Sequence, residues 1–66
     1  MTIIEKATSD LFLGQITADR AYKAISAEHK LRASQKVDIK DVLSMLVIKK
    51  ILSHEAVTQI LAILGS

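Results

Sequence analysis

The sequence has no cysteine and no proline, and only two glycines and two aromatic residues occur in its 66 positions. The lack of cysteine excludes disulfides and thiolate zinc sites, and it leaves composition silent on the redox compartment. The lack of proline means that no residue breaks a helix outright. A chain this short buries only about 60% of its unfolded surface, so association with another chain is the stabilising device left to it.

A strong charge of one sign and a long apolar run are also missing. Nine basic and seven acidic residues leave a net charge of +2, which is too small to indicate nucleic acid binding by itself. The most apolar stretch, residues 42–48, is far shorter than the roughly 20 residues that span a bilayer. The first residues lack the pattern of a signal peptide. We therefore expect a cytoplasmic protein with no membrane span.

Signals for helix starts and ends are present throughout the chain. Three N-cap residues have an apolar residue at N′ and another at N4, and they are Thr17, Asp38 and Ser53. Thr2, followed by Glu5 three positions later, has the spacing of a capping box. Gly14 is expected to end the first helix, because glycine adopts a positive φ without steric cost, and Gly65 the last.

These signals predict helices over residues 3–13, 18–34, 39–50 and 54–64. The first and third links are short, and short links make neighbouring helices antiparallel. We predict an all-α fold, a small four-helix bundle in a single domain (1–66), made of two antiparallel helical hairpins at about residues 2–34 and 38–65. The hairpins align at an offset of 36 residues, which matches caps with caps and favours a closed bundle with pseudo-twofold character.

Predicted helix 3 differs from the others because it carries two apolar stripes. The second stripe consists of Met45, Ile48 and Leu52, at positions i, i+3 and i+7 on roughly the opposite side from the main stripe. One interpretation is that helix 3 is central, with helices 2 and 4 on different sides. The other is that these three residues bind a partner chain, for which the flexible methionine thioether is well suited. The second interpretation predicts self-association, most simply as a homodimer.

Basic residues support an alternative function. Arg20, Lys23 and Lys30 lie along the back of predicted helix 2, where they are candidate contacts for nucleic acid phosphates. Predicted helices 3 and 4 also have the outline of a helix-turn-helix, but the exposed side of helix 4 carries no Arg or Lys to read bases. This alternative is a small DNA-binding regulator. The competing interpretation is a solvated face, in which these cations are interleaved with acidic residues.

No set of side chains suited to catalysis can be assembled from the sequence. There is no cysteine nucleophile, the serines fall at caps or on surfaces, and no glycine-rich phosphate loop exists. His29 and His54 lie far apart, and neither has a second ligand at the i+4 spacing. We interpret His29 as a hydrogen-bonded or partly exposed residue and His54 as a residue of the first turn of helix 4. We expect no enzymatic activity, no cofactor and no metal site.

Residues 11–21 read Leu-Phe-Leu-Gly-Gln-Ile-Thr-Ala-Asp-Arg-Ala. This segment resembles the turn of short helical-hairpin modules of the SHOCT type, which have the pattern G-x-I-T-x-E. The resemblance implies a local turn and no activity. The function that the sequence indicates first is a non-enzymatic protein–protein interaction module, such as a small adaptor, a docking or assembly factor, or a regulator.

Overall fold

The computed structural model describes residues 2–65, which form four α-helices arranged as two antiparallel hairpins. The helices are α1 (Ile3–Phe12), α2 (Ala18–Glu28), α3 (Ala33–Val47) and α4 (Ser53–Leu64). No strand occurs in this range, so the predicted all-α four-helix bundle is confirmed. Among the described residues, no helix combines the length and the apolar character that crossing a bilayer requires.

Helices α1 and α3 occupy the centre of the bundle. Within residues 2–65, each of them contacts the three other helices, whereas α2 and α4 do not contact each other. The outer helices pack instead against both central ones. The same pairs of helices are in contact when α1 is exchanged with α3 and α2 with α4, as expected for two equivalent hairpins.

The buried core repeats at an offset of 35 residues. In the first hairpin the buried residues are Ile4, Ala7, Thr8, Leu11, Ala21 and Ile25. Their counterparts 35 positions later are Ile39, Val42, Leu43, Leu46, Ala56 and Ile60, all of which are buried. The expected pseudo-twofold character is therefore present, but its register is one residue shorter than the alignment of caps predicted.

The two hairpin turns follow the same register. Both α1 and α3 end in a Schellman motif, in which two backbone N–H groups past the helix end donate to carbonyls of its last turn. The four bonds are Gly14 to Leu11 (3.1 Å), Gln15 to Asp10 (2.8 Å), Lys49 to Leu46 (3.2 Å) and Lys50 to Met45 (2.9 Å). The C′ residues have the left-handed conformation, with φ of 77° at Gly14 and 63° at Lys49. The predicted role of Gly14 is therefore confirmed.

Two of the predicted N-caps are confirmed. The Thr2 Oγ1 accepts a hydrogen bond from the Glu5 N–H at 3.2 Å, and Glu5 Oε1 accepts one from the Thr2 N–H at 3.2 Å, which completes a capping box. The Thr17 Oγ1 accepts from the Arg20 N–H at 3.2 Å. These bonds satisfy backbone donors that have no partner within the helix.

The start of α4 differs slightly from the prediction. Ser53 is the first helical residue, and Leu52 precedes it as the N-cap. The apolar Leu52 offers no cap acceptor, but Glu55 Oε1 accepts a hydrogen bond from the Leu52 N–H at 3.0 Å. Of the two hydrogen bonds of a capping box, only the one accepted by the N3 side chain is therefore present at the start of α4. At its other end, Gly65 is the C-cap as expected.

The predicted boundary between helices 2 and 3 is wrong by six residues. Helix α2 ends at Glu28 instead of residue 34, and α3 begins at Ala33 instead of residue 39. Asp38, predicted as an N-cap, is an exposed residue inside α3. The chain leaves the helical conformation at His29, which has φ −132° and ψ 130°.

Gln35 gives the physical reason for this boundary. Its side chain is buried, its Oε1 accepts from the Arg32 backbone N–H at 2.9 Å, and its Nε2 donates to the Ile63 carbonyl at 3.2 Å. One amide therefore starts α3 and ties it to the last turn of α4. An α2 that continued to residue 34 would lose both bonds and leave a buried polar group unpaired, which costs about 1–3 kcal/mol.

We expect Gly14→Ala to lower the free energy of unfolding by about 1–2 kcal/mol, because an L-residue is strained at this φ. A Cβ at Gly14 would meet nothing within 4 Å, so the cost is conformational. Gly65→Ala is the matched control, since its Cβ would make an ordinary 3.4 Å contact with the Leu61 carbonyl and its φ is negative. Urea denaturation monitored by circular dichroism measures the free energy of unfolding of both variants. Equal stabilities of the two variants would contradict the requirement for a positive φ at Gly14.

We expect Gln35→Ala to lower the free energy of unfolding by about 1–3 kcal/mol, because it removes both ends of the buried amide bridge. Ser34→Ala, at the neighbouring exposed position, should have little effect. Thermal and urea denaturation of the two variants measure the difference. Equal destabilisation would show that the bridge does not determine where α3 begins.

Candidate functional site

The three predicted partner-binding residues do not form one stripe on α3. Because α3 ends at Val47, Ile48 is its C-cap, and Leu52 lies past the turn at the start of α4. Met45 is half-buried against the core, whereas the exposed fractions of Ile48 and Leu52 are 62% and 51%. Helix α3 is central, as one interpretation held, yet its neighbours leave Ile48 and Leu52 uncovered.

Lys49 joins the two hairpin turns at one end of the bundle. Its Nζ donates to the Phe12 carbonyl at the end of α1 and lies 3.9 Å from the centre of the Phe12 ring. An ammonium group is favoured at a helix C-terminus and over an aromatic face. These contacts offset the cost of about 1 kcal/mol that a left-handed backbone conformation imposes on a lysine.

Four apolar side chains in or beside the two hairpin turns are exposed, and we call this set the turn surface. It consists of Leu13, Val47, Ile48 and Leu52. Leu13, the C-cap of α1, is 64% exposed and is the counterpart of Ile48 at the offset of 35. Leu13 is not among the residues predicted from the sequence, although the offset of 35 residues pairs it with Ile48.

The three candidate nucleic acid contacts do not share a helix face. Arg20 and Lys23 lie on α2, but Lys30 lies in the linker beyond the end of that helix, so its predicted place on helix 2 is wrong. Lys23 Nζ forms an ion pair with Asp19 at 3.2 Å. The structure brings Arg20 and Lys23 together with Lys6 of α1 instead.

These three cations line a groove of about 380 Å³ between α1 and α2, which we call the basic groove. Its apolar lining includes Ile3, Ile16 and Ala24. Asp10 also lines this groove, and its Oδ2 lies 3.6 Å from Lys6 Nζ in a partly exposed ion pair, which contributes little stability. In the described part of the chain, the Arg20 guanidinium has no carboxylate partner.

A second groove, of about 390 Å³, lies between α1 and the start of α4 and is lined by Glu5, Thr8 and His54 among others. Hydrogen bonds from Thr2, first from its backbone N–H and then from its hydroxyl, hold the pKa of Glu5 below its usual value. The buried Thr8 hydroxyl donates to the Ile4 carbonyl at 2.8 Å. Within residues 2–65, no three His, Asp or Glu side chains come together as metal ligands.

Comparisons with models of protein families, with curated proteins and with solved structures found no match to this chain. The resemblance of residues 11–21 to SHOCT-type hairpins is therefore confined to a turn. In that turn Gly14 is at C′, Ile16 at N′ and Thr17 at the N-cap. The candidate site rests on the exposed side chains alone.

We expect Glu5→Gln to destabilise the protein near neutral pH but not in acid. Because the native pKa of Glu5 is lowered, its charge stabilises the fold fully above the unfolded value of 4.5, and this contribution is lost as pH falls through the native pKa. Denaturation at several pH values measures the difference between wild type and variant. Glu28→Gln, at a helix C-terminus, should show no such loss, and a pH-independent effect of Glu5→Gln would contradict a stabilising role for the charge of Glu5.

Proposed function

We propose that this protein is a non-enzymatic protein–protein interaction module that self-associates through the turn surface. The observation that carries the proposal is the exposure of more than half of Leu13, Ile48 and Leu52 at one end of the bundle. We take these side chains to belong to one apolar patch, the feature that is characteristic of interaction sites. Full burial of each such side chain contributes about 1.5–3 kcal/mol.

The backbone beneath the turn surface is held in place before any partner binds. Schellman motifs fix both turns, and Lys49 joins the second turn to Phe12 of the first hairpin. A surface fixed in this way loses little conformational entropy on association. The free energy of apolar burial is then available for binding.

A second copy of the chain is the partner that best fits the size of the core. A core this small supplies only about 3–5 kcal/mol by itself, and a symmetric dimer would cover the same apolar residues on both copies. Roles as an adaptor, an assembly factor or a regulator are consistent with binding without chemistry. The cytoplasmic location expected from the sequence stays a prediction.

The positions of the basic residues do not favour the alternative, a DNA-binding regulator. Arg20 and Lys23 line the basic groove, while Lys30 lies off α2. Lys23 is already paired with Asp19. No described helix presents these three cations as one stripe that could follow a phosphate backbone.

In high salt, which screens contacts between charges, we expect Ile48→Lys combined with Leu52→Lys to convert the associated protein to a monomer without unfolding it, because both side chains are exposed in a single chain. Light scattering over a concentration series measures the mass, and circular dichroism checks the fold. The matched control is Val37→Lys, which changes an apolar residue of 59% exposure about 16 Å from Ile48 along α3.

A wild-type protein that stays monomeric at all concentrations would contradict this proposal. Equal loss of association in the Val37 variant would contradict it too, since the effect would then reflect added charge and not the turn surface. Met45→Lys is unsuitable as a test, because Met45 is half-buried and the substitution would also disturb packing.

A further inference from the structure

The two hairpins carry equivalent surfaces of opposite charge. At the offset of 35 residues that aligns the core, Lys6 of the basic groove corresponds to Asp41, and Arg20 corresponds to Glu55. A third cation, Lys23, is replaced by a neutral threonine. The repeat of 35 residues therefore pairs a basic surface on the first hairpin with an acidic one on the second.

The acidic counterpart, which we call the acidic face, consists of Asp38, Asp41, Met45, Ile51 and Glu55. On α3, Asp38, Asp41 and Met45 follow one another at i, i+3 and i+7, a spacing that places them on one side of a helix. All three carboxylates are exposed. Met45 and Ile51 are half-buried against the core and provide an apolar base.

Part of the charge on each surface has no partner within the single chain, although Lys6 and Lys23 of the groove are paired with Asp10 and Asp19. Among residues 2–65, Asp38, Asp41 and Glu55 form no ion pair, and neither does the Arg20 guanidinium. Glu55 uses one oxygen for the Leu52 N–H and keeps the other available. Each molecule thus displays a groove whose lining holds three cations and one carboxylate, Asp10, and a face whose three carboxylates form no ion pair among residues 2–65.

We infer that the basic groove of one copy binds the acidic face of a second copy. Charge complementarity identifies a second copy as the occupant of the groove, because every molecule carries one basic groove and one acidic face. The apolar residues at the base match as well, since Ile16 of the groove and Ile51 of the face occupy equivalent positions. This contact goes beyond the proposed function: it uses different residues from the turn surface and depends on charge instead of apolar burial.

A contact between two different surfaces has a defined consequence for assembly. Each bound copy still offers one free groove or face, so association continues head to tail unless the chain of molecules closes into a ring. The mass should therefore rise with concentration beyond that of a dimer. Salt should weaken the contact, because the Debye length falls from about 30 Å at 0.01 M to about 3 Å at 1 M.

The test uses two charge-reversal variants of the full chain. In the groove variant, Lys6→Glu is combined with Arg20→Glu, and in the face variant, Asp38→Lys is combined with Asp41→Lys. All four side chains are exposed, and circular dichroism confirms that each variant folds. Both variants are also made with Ile48→Lys and Leu52→Lys, which removes the turn surface from the comparison.

At low salt we expect each variant alone to lose association by at least about tenfold in Kd, because equal charges then meet at the contact. Mixing the two variants should restore association, since the intact face of the groove variant meets the intact groove of the face variant. Light scattering of each protein and of the mixture measures both effects. High salt should abolish the restored association.

The inference is overturned if the protein with Ile48→Lys and Leu52→Lys is monomeric at low salt over the whole concentration series, or if mixing the two reversal variants restores nothing. Association that survives charge reversal and high salt but disappears with Ile48→Lys and Leu52→Lys would support the turn surface and reject the charged contact. The converse result would support the charged contact and reject the turn surface. The two proposals can therefore fail separately.

Discussion

Burial of the same positions in both hairpins is the constraint on which the rest of this structure depends. Each central helix, α1 or α3, contributes four buried residues to the repeat, and each outer helix contributes two. A helix with the wider buried face must be covered from more directions, which explains why α1 and α3 lie at the centre. The outer helices bury only a narrow strip, so their remaining surface was free to acquire different charges in the two hairpins.

Local signals were enough to predict the elements but not the boundary between the hairpins. Thr2, Thr17 and Gly14 act through bonds to residues three to five positions away, so their spacing predicts their roles. The break after α2 depends on the bond from Gln35 to Ile63, which lie 28 positions apart. No local pattern marks that bond, and Asp38 with Asp41 imitated a cap at the wrong place.

The register of core residues was the better guide. At an offset of 35 the identical pairs are Ile4/Ile39, Ser9/Ser44, Leu11/Leu46, Ile16/Ile51, Ala21/Ala56, Ile25/Ile60 and Ala27/Ala62, whereas the offset of 36 yields only Ile3/Ile39.

The candidate site was predictable in part, for the same reason. Helical periodicity predicts that Ile48 and Leu52 are exposed apolar residues, and both are exposed. It also assigns them to a stripe on a helix that continues to residue 50, whereas α3 ends at Val47. Lys49, and not a glycine, is the residue that ends this helix in the left-handed conformation. The neighbouring sequence does not predict this conformation. The contribution of Leu13 and the opposite charges of the two hairpin surfaces emerge only when the hairpins are aligned by their cores.

Lys49 also bears on how the protein folds. The first hairpin turns at a glycine and needs no outside help, whereas the second turns at a lysine whose side chain is held by Phe12 of the first. The second turn is thus completed by contacts between segments 37 positions apart in the chain. An isolated second hairpin would lack them, so its native turn would be populated less than in the whole molecule. The Lys49 ammonium group thus adds to the helix contacts that couple the two halves. The approximate symmetry of the structure does not extend to the way in which its two turns are stabilised.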